Sequence, residues 1–233
     1  KGSESCLFFC YSFPGLVVCI EKTLTQALFP QCDFYKWTKM NLDIVILAAG
    51  RGTRMNSNIP KVLHQIGGDS LLGHVIATAS QLESEQVHIV VGYGAEQIKS
   101  EFSSQNELRW ALQEQQLGTG HAVMQAMSSI DITKPEKRVL VLYGDVPLTK
   151  FSTLSKLVQQ ASASTLCLLT LVTENPTGLG RIVRNNAGEI TAIAEEKDAS
   201  EAQKQIKEIN TGIMVIPAKK LNTWLNCLGN NNA

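Results

Sequence analysis

Leu47-Ala48-Ala49-Gly50-Arg51-Gly52-Thr53-Arg54-Met55-Asn56-Ser57-Asn58-Ile59-Pro60-Lys61 is the stretch on which the reading of this chain turns. It follows an apolar run at 44–47 (IVIL) that is short, uninterrupted and β-branched, the signature of a strand buried on both faces. Ala48, Ala49 and Gly50 are small enough to let backbone approach a flat base and ribose. Gly50 and Gly52 permit a loop whose N–H groups point at phosphates. Arg51, Arg54 and Lys61 add cations to the same loop.

Known nucleotide loops do not account for this stretch. A P-loop requires G-x-x-x-x-G-K-[ST], which is absent here. The dinucleotide fingerprint G-x-G-x-x-G fails at its third glycine, where Met55 stands. The next strand ends in Val91-Gly92-Tyr93-Gly94, with no acidic residue to hold an NAD ribose.

Working outward, apolar runs alternate with segments of helical period. Strands are expected at 87–91, 108–112, 139–143 and 166–172, and helices at 71–79, 95–102, 121–127 and 153–161. Ser70 is placed to cap the first of these helices. This alternation predicts an α/β fold, a Rossmann-like, mostly parallel sheet with helices on both faces. After Val172 the rhythm changes. Residues 181–184 and 189–193 flank Asn185-Asn186-Ala187-Gly188, which reads as a small β-hairpin insertion. A strand at 209–216 and a helix from Lys219 follow. In such sheets ligands sit beyond the carboxyl ends of the strands.

The bulk properties narrow the classes. The 233 residues suit one large α/β domain, long enough to bury about 70% of its unfolded surface. Lys plus Arg and Asp plus Glu number 21 each, so there is no overall basic field to recruit nucleic acid. The six cysteines contain no C-x-x-C, and they read as free thiols of a reducing, cytoplasmic compartment. Residues 7–20 (LFFCYSFPGLVVCI) are apolar but broken by Pro14 and Gly15, and too short to span a membrane, which takes about 20 residues. The first methionine is Met40. The expectation is therefore that residues 1–39 are an extension outside the fold and that the domain occupies 40–233. A targeting segment is the alternative.

The run L-x-x-G-x-G-T-R-M-x4-P-K from Leu47 to Lys61 resembles the signature of sugar-phosphate nucleotidyltransferases. The further runs are Leu112-Gln113-Glu114-Gln115-Gln116-Leu117-Gly118-Thr119-Gly120-His121-Ala122, Tyr143-Gly144-Asp145-Val146-Pro147-Leu148, Asn175-Pro176-Thr177-Gly178-Leu179-Gly180-Arg181-Ile182 and Glu208-Ile209-Asn210-Thr211-Gly212-Ile213. Together these are similar to the N-terminal uridylyltransferase domain of bacterial bifunctional UDP-N-acetylglucosamine pyrophosphorylase/glucosamine-1-phosphate N-acetyltransferases, from about Ile44 to Ala233.

The resemblance implies a nucleotide-diphospho-sugar transferase fold and a reaction of UTP with N-acetylglucosamine 1-phosphate, releasing pyrophosphate. Leu47, Ala48, Ala49 and Gly50 would contact the uridine nucleotide, and Gln113, Gly118 and Thr119 would select the uracil edge. Tyr143 and Gly144 belong to the substrate-binding run that leads into Asp145. Arg54 and Lys61 would neutralise the triphosphate, Lys61 also reaching the sugar phosphate. Asp145 would ligate Mg²⁺. Gly180, Glu195 and Asn210 would hold the sugar. His64, His74, His88 and His121 are read as packing or surface residues, because an anionic phosphate nucleophile needs no histidine base.

The family's second metal ligand, an asparagine, and its acetyltransferase β-helix, which forms the family trimer, have no counterpart in this sequence. The expectation is thus a C-terminally truncated domain without that trimer. The partners implied are UTP and N-acetylglucosamine 1-phosphate, with neither nucleic acid nor membrane. Alternatives are a nucleotidyltransferase for another sugar phosphate or a non-catalytic nucleotide-sugar-binding fragment.

Overall fold

The computed structural model describes residues 41–52, 55 and 57–228, together with the backbone of Cys6–Cys10. In chain order the elements are β1 (Cys6–Cys10), β2 (Leu42–Ala48), β3 (Gln65–Ile66), β4 (Asp69–Ser70), α1 (Leu71–Ala79), β5 (Gln86–Val91), α2 (Ala95–Glu101) and β6 (Leu108–Leu112). They continue with α3 (Thr119–Met127), β7 (Arg138–Tyr143), α4 (Phe151–Gln160), β8 (Cys167–Val172), β9 (Arg181–Arg184), β10 (Ile190–Ala194), α5 (Glu201–Lys204), β11 (Glu208–Pro217) and α6 (Ala218–Asn226). A 3-10 turn at Lys61–Leu63 lies between β2 and β3. The chain divides into two compact units, one of Thr38–Ser155 with Ile216–Ala233, the other of Lys1–Trp37 with Lys156–Val215.

The first unit carries the parallel sheet, with strands in the order β7-β2-β5-β6. All seven residues of β2 are buried, as a central strand covered on both faces requires. Helix α1 packs on β2, and α3 packs on β2, β5 and β6. Ser70 caps α1 as its sequence position indicated, its Oγ accepting from the Gly73 N–H at 3.0 Å. Each Leu or Ile taken fully out of water in this core contributes about 1.5–3 kcal/mol. Ile44, Ile46, Ile89, Leu140 and Leu142 form its centre.

At the amino ends of these strands lies a buried ionic cluster. Asp43, at the start of β2, accepts from Lys137 Nζ at 2.8 Å and sits 3.5 Å from His88 Nε2. Asp43, His88 and Lys137 are each no more than 3% exposed. Lys137 also reaches Glu85 at 3.0 Å, which Lys134 approaches at 2.7 Å. Burial alone would push the Asp43 carboxyl upward. The hydrogen bonds from His88 and Lys137 outweigh burial and hold it below the ordinary aspartate value.

The parallel core and the small hairpin are as the sequence indicates, and the pairings of the second unit are antiparallel. Strand β8 is flanked by β1 and β11, both antiparallel to it, and β9 joins β11 and β10 in the same antiparallel sense. The link from Arg184 to Ile190 is too short for the crossover of a dozen or more residues that parallel pairing needs, so β9 and β10 pair as an antiparallel hairpin. The hairpin of β9 and β10 stands where the Asn185–Gly188 turn was read. Ile182 of the hairpin and Leu168 of β8 form a buried cluster against which Leu166, Ile190 and Met214 pack. Helix α5 was not anticipated. It is a single turn held by a capping box between Ser200 and Gln203. Cys167 and Cys227 are free, the former buried, and the side chains of the other cysteines lie outside the described residues. Most of the 1–39 extension also lies outside them. Among the described residues no helix is long and apolar enough to cross a membrane.

Candidate active site

The four parallel strands stop in register. Ala48 pairs with Val91, Val91 with Leu112, and Leu47 with Tyr143, so the segments leaving these strands gather at one edge. They are knitted by backbone contacts. The Gly144 N–H donates to the Leu47 carbonyl at 2.9 Å, and Gln113 N–H to the Val91 carbonyl at 2.7 Å. Gly92 sits where a Cβ would lie 2.9 Å from the Ala49 carbonyl and 3.1 Å from that of Gln113. Only glycine lets the β2 and β6 loops close over the end of β5.

Above this edge opens a cavity of about 340 Å³. Its walls include Leu47, Ala48, Ala49, Gly50, Lys61, Gln113, Gly118, Thr119, Tyr143 and Asp145, all of them read as site residues from the sequence. Gly50 has nothing within 4 Å of where its Cβ would be, so its backbone borders open space. Gly144 does not line the cavity. It is the turn residue whose N–H ties β7 to β2.

Lys61 is delivered by the turn after Pro60. Its Nζ donates to Asp145 Oδ2 at 2.5 Å, across 84 residues of sequence. Gly52 makes this placement possible twice over. Its φ of +59° is left-handed, and a Cβ there would fall 2.7 Å from Lys61 Cβ. Arg54 lies outside the described residues.

The same cavity is also lined by amides. Gln113, 4% exposed, donates through Nε2 to the Gly118 carbonyl at 3.1 Å and faces His121 Nδ1 at 3.0 Å. Gly118, at φ +98°, precedes α3 and turns the chain so that the helix opens on the cavity. Gln116 was missed in the sequence. Its Nε2 donates to the Ala49 carbonyl at 2.9 Å and so braces the glycine-rich loop. Val62 and Ala122, also unanticipated, complete the lining with Gly52, which the sequence places in the phosphate-facing loop. A second cavity of about 280 Å³ shares Gln113 and Gln116 and brings in Arg51, Tyr93 and Glu114.

The remaining predicted residues belong to the other unit and meet one another there. Gly180 precedes β9 and Glu195 follows β10, one step beyond the Arg181–Ala194 pair. A Cβ on Gly180 would lie 3.0 Å from Glu195 Oε1. The Asn210 N–H donates to the Gly180 carbonyl at 2.8 Å. A register shift after Asn210, with Gly212 at φ +74°, lets the Asn210 side chain accept from the Gly212 N–H at 2.8 Å. Beside them the buried Arg181 donates to Glu196 at 2.7 Å. The Gly178 N–H and that guanidinium hold the Glu196 carboxyl below its ordinary value. Glu196 is thus a partner of Arg181, while Glu195 is left facing Gly180.

An open parallel sheet whose strands end on a glycine-rich, cation-bearing loop is the architecture of a nucleotide-binding transferase, and this chain falls in that class. Within it, the chain belongs to the MobA-like NTP transferase domain family, whose profile matches residues 44–209. Among curated relatives, "Bifunctional protein GlmU" of Pseudomonas entomophila (strain L48) is 55% identical over 194 residues, covering 83% of this chain and 42% of its own length. The protein of the same name in Pseudomonas putida (strain GB-1) is 53% identical over the same span. The chain therefore spans less than half the length of the curated relatives it matches. Among solved structures, a nucleotidyl transferase from Methanothermobacter shares the fold at a TM-score of 0.56 and 16% identity, covering 81% of this chain and 76% of that one. HddC from Yersinia pseudotuberculosis, complexed with GMP-PN, gives 0.55 at 18% identity, covering 77% and 78%.

Proposed function

We propose that the chain is a uridylyltransferase domain joining UTP to N-acetylglucosamine 1-phosphate, with release of pyrophosphate, in a cytoplasmic setting. The observation that carries this reading is the convergence of Lys61, Asp145 and the Gln113–Gly118 amides on one cavity at the strand ends. The identity to proteins named GlmU supports the choice of substrates.

In this reading a phosphate oxygen of the sugar phosphate attacks the α-phosphorus of UTP in line. A new P–O bond forms as the bond to the β-phosphate breaks, and the electron pair leaves on pyrophosphate. The attacking oxygen is already anionic, so no general base is required. The obstacles are repulsion between two polyanions and charge growing on the leaving group. Lys61 answers both by position and charge, and Arg54 would add a second cation. Leu47, Ala48, Ala49 and Gly50 offer a flat floor for the nucleoside, and Gln113, Gly118 and Thr119 read the base. Tyr143 forms part of the wall beside Asp145. Gly180, Glu195 and Asn210 hold the sugar, Glu195 accepting from hydroxyls and Asn210 able to donate and accept.

Mg²⁺ prefers oxygen donors and commonly binds through one or two carboxylates plus phosphates and waters. Asp145 offers one such carboxylate on the cavity wall, and no cluster of three or more His, Cys, Asp or Glu occurs among the described residues. That donor set fits a metal that arrives with the nucleotide, held by Asp145. When bound, it neutralises phosphate charge and orients the triphosphate.

The test is pyrophosphate release from purified protein across pairs of UTP, dTTP or GTP with N-acetylglucosamine 1-phosphate, glucose 1-phosphate or galactose 1-phosphate. The UTP and N-acetylglucosamine 1-phosphate pair is expected to lead. A clear preference for another pair overturns the assignment.

A further inference from the structure

We propose that His121 sets base selectivity by fixing which end of the Gln113 amide faces the cavity. The inference rests on the uridylyl reading above and deepens it to a positioning residue that touches no substrate. Its starting point is a count of hydrogen-bond capacity around one imidazole. Gln113 Nε2 lies 3.1 Å from the Gly118 carbonyl and 3.0 Å from His121 Nδ1. A carbonyl oxygen only accepts, so the Gln113 group facing it is the NH₂. The second hydrogen of that NH₂ then points at Nδ1, which must present a lone pair.

A neutral imidazole has one lone pair to offer and one N–H. The other ring nitrogen, Nε2, is approached by the side-chain amide of Gln125 at 3.1 Å, which also reaches the His121 carbonyl at 3.2 Å. Two amides therefore bear on one ring, and only one can donate to it. Gln125 is half-buried and can exchange its ring contact for water. Gln113 is 4% exposed and cannot, so leaving its N–H unpaired would cost far more. The lone pair goes to Gln113, and the ring proton resides on Nε2.

The consequence reaches the cavity that Gln113 lines. With both amide hydrogens committed to Gly118 and His121, the Gln113 carbonyl oxygen is what remains for a base. Uracil presents N3–H to such an acceptor, whereas cytosine presents a lone pair at N3 and is repelled. Were the imidazole to offer a proton at Nδ1, it would pull the amide the opposite way from the Gly118 carbonyl, and the preference would weaken. His121 thus acts as a latch on the amide, and Gln125 tunes the latch.

The experiment titrates UTP and CTP separately into wild type and three variants by calorimetry, with thermal melts to verify folding. Wild type is expected to favour UTP. His121→Phe keeps a ring but no acceptor, and should reduce the UTP-to-CTP affinity ratio roughly ten-fold, the worth of one directed hydrogen bond. His121→Asn places a carbonyl oxygen near the position of Nδ1 and should hold the ratio within about three-fold of wild type. Gln125→Lys, on the accessible side of the ring, offers only donors to Nε2 and should lower the ratio several-fold even if the phenylalanine variant misfolds. A ratio unchanged in His121→Phe or in Gln125→Lys overturns the latch while leaving the uridylyl reading intact. A wild type that prefers a purine or CTP overturns that reading and the latch together.

Discussion

Gly52→Ala is the substitution that most sharply separates backbone strain from loss of catalytic geometry. At φ +59° an alanine costs about 1–2 kcal/mol over glycine, because its Cβ crowds the following carbonyl. Its Cβ would also stand 2.7 Å from Lys61 Cβ, against the 3.4 Å at which ordinary contact begins. One of them must therefore give by about 0.7 Å, the difference of those two distances. Pro60, just before Lys61, has no slack, since its ring already occupies the place where a Cβ on Gly94 would sit. The displacement thus falls on Lys61 and its contact with Asp145. A misplacement approaching 1 Å is enough to cost on the order of 10²-fold in rate.

The comparison is Gly67→Ala, at φ +62° in the β3–β4 turn with nothing within 4 Å of its would-be Cβ. Both variants should lose a similar few degrees of melting temperature, roughly 2–8 °C for a domain of this size. Only Gly52→Ala should lose about 10²-fold in pyrophosphate release. Equal activities in the two variants would refute the claim that Gly52 exists to seat Lys61.

Three further outcomes follow from the packing. Lys137→Met strips the buried Asp43 carboxylate of its lysine partner, leaving it beside His88, and should destabilise the chain by about 3–5 kcal/mol in urea unfolding, much of it recovered by adding Asp43→Leu; a loss below about 1 kcal/mol would contradict the cluster's role. The Asp43 and Glu85 carboxyls are held below their ordinary values, so their stabilisation is fully present above about pH 4 and lost as pH falls through the folded values; urea midpoints should drop in that acidic window, and less so in the Asp43→Leu/Lys137→Met pair. Gly92→Ala forces a Cβ against the Ala49 and Gln113 carbonyls, should cost about 1–3 kcal/mol, and should weaken UTP binding measured by calorimetry.

What the sequence made legible follows from the range of each signal. The strand runs and the Ser70 cap are local, and the structure places β6 over the same five residues that the apolar pattern marks. The lining from Leu47 to Lys61 was legible because small residues, glycines and a Pro-Lys at fixed spacing form a recognisable loop, whereas Gln113, Gly118, Thr119, Tyr143 and Asp145 were legible through the resemblance of their runs to a known family. Lys61 and Asp145 could be named individually, yet their meeting across 84 residues is a property of the strand register. The Asp43–Lys137 pair, 94 residues apart, left no trace in the sequence, since neither residue sits in a motif. The 3-10 turn at Lys61–Leu63 and the two-residue strands β3 and β4 are too short to carry periodicity. Gln116 escaped for a related reason: an amide that braces a loop obeys no spacing rule. The antiparallel arrangement after Val172 shows in the connection lengths more than in composition.

The central claim is that Lys61 and Asp145 carry nucleotidyl transfer at this cavity, and it is tested most directly by turnover of Lys61→Ala and Asp145→Ala with UTP, N-acetylglucosamine 1-phosphate and Mg²⁺. Each variant is expected to melt as a folded protein while pyrophosphate release falls about 10²–10³-fold, the loss of one preorganised group that steadies phosphate charge, Lys61 directly and Asp145 by holding the metal. Near-normal release in either folded variant would contradict the role assigned to that residue, and near-normal release in both would remove the basis for the mechanism.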